Sequence, residues 1–140
     1  MPAAPGAAWV ATAMVNLLAG WISILLGFVA GAVPGLFFWR EEWLGGYGSW
    51  RRRMLRLAHI SFFGLGFINL VFALTVAQLA MPAVEGSLLW ASRLLLAGNV
   101  AMPVTCYLAA WKVPFRHLFA VPVTCMVLGV TALVKALVLR

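Results

Sequence analysis

The first 39 residues of this chain contain no aspartate, glutamate, lysine, arginine or histidine. A helix rises about 1.5 Å per residue, so about 20 apolar residues cross the hydrocarbon core of a bilayer. The uncharged run is long enough to do this with residues to spare. The rest of the chain is similar in character: 65% of its 140 residues are hydrophobic and 9% are charged, against about 25% charged in ordinary soluble domains. A globule of this length exposes too large a share of its chain to hide that much apolar surface. A soluble enzyme, a disordered tail and a disulfide-stapled module do not fit. The chain reads as an integral membrane protein.

The charged residues divide it into four apolar runs, at about 9–33, 57–80, 87–111 and 117–139, each close to one bilayer crossing. They predict a single all-α transmembrane domain over 1–140. No basic stretch precedes the first run as it would in a signal peptide, so that run is expected to be a retained span. The ten-residue alternating strands of a barrel are missing, and short connections favour an antiparallel up-down-up-down bundle.

Ten Lys and Arg against three Asp and Glu give a formal charge of +7. In a soluble protein that balance would suggest nucleic acid. Here the cations flank apolar runs: Arg40, Arg51, Arg52, Arg53 and Arg56 in the first connection, Lys112 and Arg116 in the third. Basic loops stay on the cytoplasmic side beside anionic lipid. Both termini are therefore expected outside and loops one and three inside, in a bacterial inner membrane. Trp39, Trp43, Tyr47 and Trp50 are expected as headgroup anchors. The expected partners are lipids and other membrane subunits or a second copy, not nucleic acid.

Residues three, four and seven apart share a helix face. In span one that face carries Gly20, Gly27, Gly31 and Gly35 with Asn16 and Ser23, a groove for close approach by another helix. The approaching helix can be span two, span four or another subunit. Span two aligns His59, Gly66, Asn69 and Ala73; span three aligns Ser92, Asn99, Pro103 and Cys106; span four aligns His117, Thr124, Thr131 and Lys135. Unpaired polar groups are costly in hydrocarbon, so all four stripes are expected to turn inward, with Asn69 and Asn99 as one candidate pair. Met102-Pro-Val-Thr-Cys106 echoes Val121-Pro-Val-Thr-Cys125, two matched kinks with a secondary option of a pocket at Thr105 and Thr124. The two cysteines lack C-x-x-C spacing and read as small packing residues. Arg93 is expected to pair with Glu85 or to snorkel, and Lys135 to snorkel.

His59 and His117 are the two histidines, both near the cytoplasmic end. The first reading of each is an interfacial side chain on a carbonyl or a lipid phosphate. The second is ligation: two imidazoles from a helix bundle can hold a haem b iron or part of a smaller metal site. Gly66 would then leave room for the porphyrin, Phe62 and Phe63 would pack at its edge, and Arg53, Arg56 and Arg116 would meet its propionates. No phosphate loop, nucleophile elbow or H-E-x-x-H occurs, and no acid lies deep in a span. The sequence thus favours an accessory or structural subunit of a larger membrane complex. A haem or metal redox protein stands second, and a small oligomeric transporter third.

Overall fold

The computed structural model describes residues 7–79 and 85–139, with side chains from 10–78 and 86–139. Its architecture is an all-α antiparallel four-helix bundle: α1 (Ala7–Gly35), α2 (Trp50–Leu79), α3 (Glu85–Trp111) and α4 (Ala120–Val138). Each span is long and apolar enough to cross a membrane, α4 together with the 3-10 segment Val113–Phe119 that precedes it. The turn expected at 81–86 falls mostly outside the described residues, as does the Glu85 side chain that Arg93 was expected to meet. Arg93 itself is exposed, with its guanidinium carbon 5.8 Å from the centre of the Trp90 ring.

Consecutive helices pack side by side, and α1 also touches α3 across the bundle. Away from the arginine-rich end, the helices share one apolar cluster built on Ala13, Phe72, Ala73, Val76, Leu88, Ala91, Leu95 and Ala136. Four of these are alanines, whose short side chains let helix axes draw together. α4 is held chiefly by α3. Its buried residues are Pro122, Gly129 and Ala136, and a β-carbon on Gly129 would stand 3.1 Å from Leu95.

The stripe His117, Thr124, Thr131 and Lys135 is exposed, which corrects the expectation that it turns inward. Two physical reasons account for this. Small residues, not hydroxyls, set the close approach to α3. A threonine also needs no partner helix, because its hydroxyl can bond the carbonyl one turn back; Thr131 donates to the Val127 carbonyl at 2.7 Å. His117 lies in the 3-10 segment before α4, and Pro122 cannot donate to the carbonyl of Leu118 as a continuing helix would. Thr105 is buried while Thr124 is exposed, so the echoed motifs do not line one pocket.

At the other end, α2 begins at Trp50, before the apolar span expected from Leu57, and the triple arginine forms its first turn. Ser49 caps it: its hydroxyl accepts the Arg52 N–H at 3.2 Å, which satisfies a donor that has no intrahelical partner. The connection from α1 contains the turn Trp43–Gly45, where Leu44, Gly45 and Gly46 have φ of 54°, 86° and 88°. The two glycines bear this left-handed backbone without a side-chain clash.

Candidate functional site: the polar interior and the basic end

Three layers of polar contact run through α1, α2 and α3. In the first, Asn16 donates to the Asn69 Oδ1 at 2.7 Å and receives the Ser92 hydroxyl at 2.5 Å, while Asn69 donates to the Leu65 carbonyl at 2.9 Å. Asn16 and Asn69 are fully buried. Asn69 therefore pairs with Asn16, not with Asn99 as expected. The register is set by α1 packing directly on α2, which brings the two amides together one turn from Gly20. Replacing Asn16 or Asn69 with leucine should each cost about 1–2 kcal/mol, with a coupling energy of about 0.5–1.5 kcal/mol. A double-mutant cycle by SDS unfolding in mixed micelles measures it, and zero coupling would mean that the pair does not hold the helices.

In the second layer, Ser23 Oγ lies 2.9 Å from the Phe62 carbonyl and 3.1 Å from Asn99 Oδ1. A hydroxyl carries one proton, so it serves one acceptor at a time. When it serves Phe62, a turned-over Asn99 amide can donate to Oγ instead. In either arrangement Ser23 engages one end of the amide and the other end has no protein partner among the described residues.

The third layer holds His59. Its Nδ1 lies 2.9 Å from the Gly27 carbonyl, and its ring edge rests on Gly31, where a β-carbon would stand 2.7 Å from Nδ1 and 3.1 Å from Nε2. Phe63 meets the imidazole edge-on at 5.2 Å. Both nitrogens thus face α1. His117 is exposed, on a segment packed against α3 and α4, so the structure does not bring the two histidines together. The space over Gly66 is taken by α1: a β-carbon there would stand 3.0 Å from the Gly20 carbonyl oxygen and 3.2 Å from Ser23. Arg56 donates to the Tyr47 carbonyl at 3.2 Å and lies over the Tyr47 ring, while Arg53 and Arg116 are exposed. Among the described residues there is no group of three or more His, Cys, Asp or Glu placed to hold a metal ion.

The glycine face of α1 is covered by α2. Gly20 meets Leu70 and Gly66, Gly27 meets Phe63 and Gly31 meets His59, whereas Gly35 has nothing within 4 Å of a β-carbon position. A second copy cannot use that face while α2 fills it.

Sequence reasoning missed Arg52. It is 2% exposed and spans the loop from within, donating to the carbonyls of Trp43 at 2.5 Å, Glu41 at 3.0 Å and Arg40. The guanidinium also lies against the rings of Trp43 and Phe38. Trp43 stacks on Phe37 at 5.5 Å, and Trp50 donates to the Ala109 carbonyl at 2.7 Å. These two tryptophans thus fix the loop and the α2–α3 contact, while Trp39 and Tyr47 remain exposed. The signal in the sequence was the RRR run itself: successive helix residues lie about 100° apart, so three in a row cannot all face outward or all face inward.

The chain matches no family model, no curated protein and no solved structure.

Proposed function

We propose that this small membrane protein is an accessory subunit of a larger membrane assembly, and that α4 is the helix through which it binds. One observation carries this reading. Thr124 and Thr131 within the span, and Lys135 in its last turn, are exposed on a helix held almost entirely by α3. Asn16, Asn69 and Ser92, and likewise Ser23 and Asn99, engage one another across α1, α2 and α3 instead. The Thr131 hydroxyl bonds its own backbone, which makes the face tolerable in lipid and available to a partner, since interhelical hydrogen bonding is one of the forces that joins transmembrane helices. The cationic end, with Arg40, Arg51, Arg53, Lys112 and Arg116 exposed, lies on the cytoplasmic side of a bacterial inner membrane in this reading, where anionic headgroups attract it.

The test is a photoreactive residue at Thr124 or Thr131, irradiated in native membranes and followed by solubilisation in a mild detergent. The expected result is an adduct with another polypeptide from α4 and none from the exposed Leu25 of α1. A chain that gives no adduct from α4 and migrates alone at its own mass would overturn the reading.

A further inference from the structure

α1 and α3, with Phe62 of α2, line a partly open groove of about 370 Å³. Such a volume falls within the range of about 300–1,000 Å³ of small-molecule sites. Its walls are almost wholly apolar, with Phe62 among them, and the side chains in its lining that carry polar groups are Ser23, Asn99 and Tyr107. Ser23 and Asn99 lie at the midpoints of the apolar stretches Val10–Gly35 and Gly86–Trp111, so the end of the groove that they line sits near the bilayer centre, and its α3 wall runs from there towards the cationic end as far as Tyr107.

Asn99 gives the groove its chemistry. The residue is 6% exposed, yet the carboxamide end that Ser23 leaves free has no partner among the described residues. Among those residues no side-chain nitrogen or oxygen is both fully enclosed and unbonded, so that free end retains an opening, and Asn99 lines the groove. A hydrogen-bonding group facing hydrocarbon without a partner is costly. The polar residues of the first layer, by contrast, are closed on one another.

We propose that this groove binds a lipid-soluble quinone near the middle of the membrane, with the Asn99 carboxamide as its hydrogen-bonding contact. The depth selects the ligand class. With a hydrocarbon core about 30 Å thick, the ester oxygens of a phospholipid lie about 15 Å from the midplane, and an acyl chain brings no oxygen there. A quinone head group is neutral, flat enough to lie against Phe62 and Tyr107, and carries carbonyl oxygens into the hydrocarbon region. The carboxamide suits both forms of such a ligand, since its N–H donates to a quinone carbonyl and its oxygen accepts from a quinol hydroxyl. The proposal concerns binding alone and stands independently of the subunit reading.

The test uses the full chain in phosphatidylcholine–phosphatidylglycerol vesicles, labelled with an azido-substituted decylquinone and mapped by peptide mass spectrometry. Adducts are expected on the α1 and α3 walls of the groove, removed by excess unlabelled decylquinone. Asn99→Leu should weaken labelling about tenfold, the scale of one lost hydrogen bond in a site without water. Ala19→Phe, which fills the groove and keeps the amide, should abolish labelling and keeps the test valid if Asn99→Leu fails to fold. Label that unlabelled quinone does not displace, or that survives Ala19→Phe, would overturn the proposal. So would equal labelling by a phospholipid carrying a mid-chain diazirine, which would identify an acyl chain as the occupant. A disulfide between copies bearing Ile22→Cys would do the same by placing a second chain in the groove.

Discussion

Replacing Gly20 with leucine is expected to separate α1 from α2 and cost more than about 3 kcal/mol, beyond the usual range for an overpacked core. At Gly20 a β-carbon would stand 2.7 Å from the Leu70 side chain and 2.9 Å from the Gly66 carbonyl oxygen, and at Gly66 a β-carbon would meet the Gly20 carbonyl oxygen. The two glycines thus face each other backbone to backbone. A leucine side chain can swing aside, but a helix carbonyl cannot. Relief requires the helices to part, and that pulls apart Asn16 and Asn69 one turn away and Ser23 and Phe62 on the other side. Gly35→Leu is the matched control, because nothing lies within 4 Å of its β-carbon position; its cost should stay within about 0.5 kcal/mol. SDS titration of the two variants followed by circular dichroism makes the comparison. Equal midpoints would show that the α1–α2 seam does not depend on the close approach.

Arg52→Ala should cost about 3 kcal/mol and open the connection between α1 and α2, since hydrogen bonds from a charged donor are worth about 1.5–3 kcal/mol each and seldom add in full. Three carbonyls of one loop converge on a guanidinium that is 2% exposed. Removing it leaves the Glu41 carbonyl without a donor, the Arg40 and Trp43 carbonyls with their turn N–H partners alone, and the Trp43 ring without its cation. Arg52→Lys should recover only part of the loss, because an ammonium lacks the planar fork that reaches several carbonyls at once. Arg51→Ala and Arg53→Ala, at exposed positions, should shift stability by less than about 0.5 kcal/mol. Limited chymotrypsin cleavage at Trp43, Leu44 and Tyr47 provides the local readout, with faster cutting expected for Arg52→Ala alone. Equal rates for the three alanine variants would remove Arg52 from its role.

The faces of α1, α2 and α3 were legible because the residues that make them are of two unambiguous kinds. Asn16, Asn69, Ser92 and Asn99 bring amides or hydroxyls that hydrocarbon penalises, and Gly20 and Gly66 bring backbone that another helix can approach. Both signals repeat at helical spacing, and hydrocarbon admits few alternatives to burying them. α4 was misread because threonine gives a weaker signal: Thr131 satisfies its hydroxyl on its own backbone and so exerts no inward pull. The residues that decide its packing, Pro122, Gly129 and Ala136, carry no polar mark. The position of His117 was not legible for a related reason, since a helical wheel drawn through 113–119 assumes a period that the 3-10 segment does not have.

The amino-acid order alone fixed that this chain crosses a bilayer four times as helices, because the hydrogen-bonding needs of a backbone in hydrocarbon leave no other regular form for runs so long and apolar. It also fixed which end carries the cations. Tertiary packing decided everything that depends on distance between helices: that Asn69 meets Asn16, that Arg52 and not its neighbours turns inward, that His59 lies on α1, and that α1 and α3 line a groove with Asn99 in its wall. Periodicity places a residue on a face, but side-chain volumes on two helices at once set their register and separation, and no single helix contains that information.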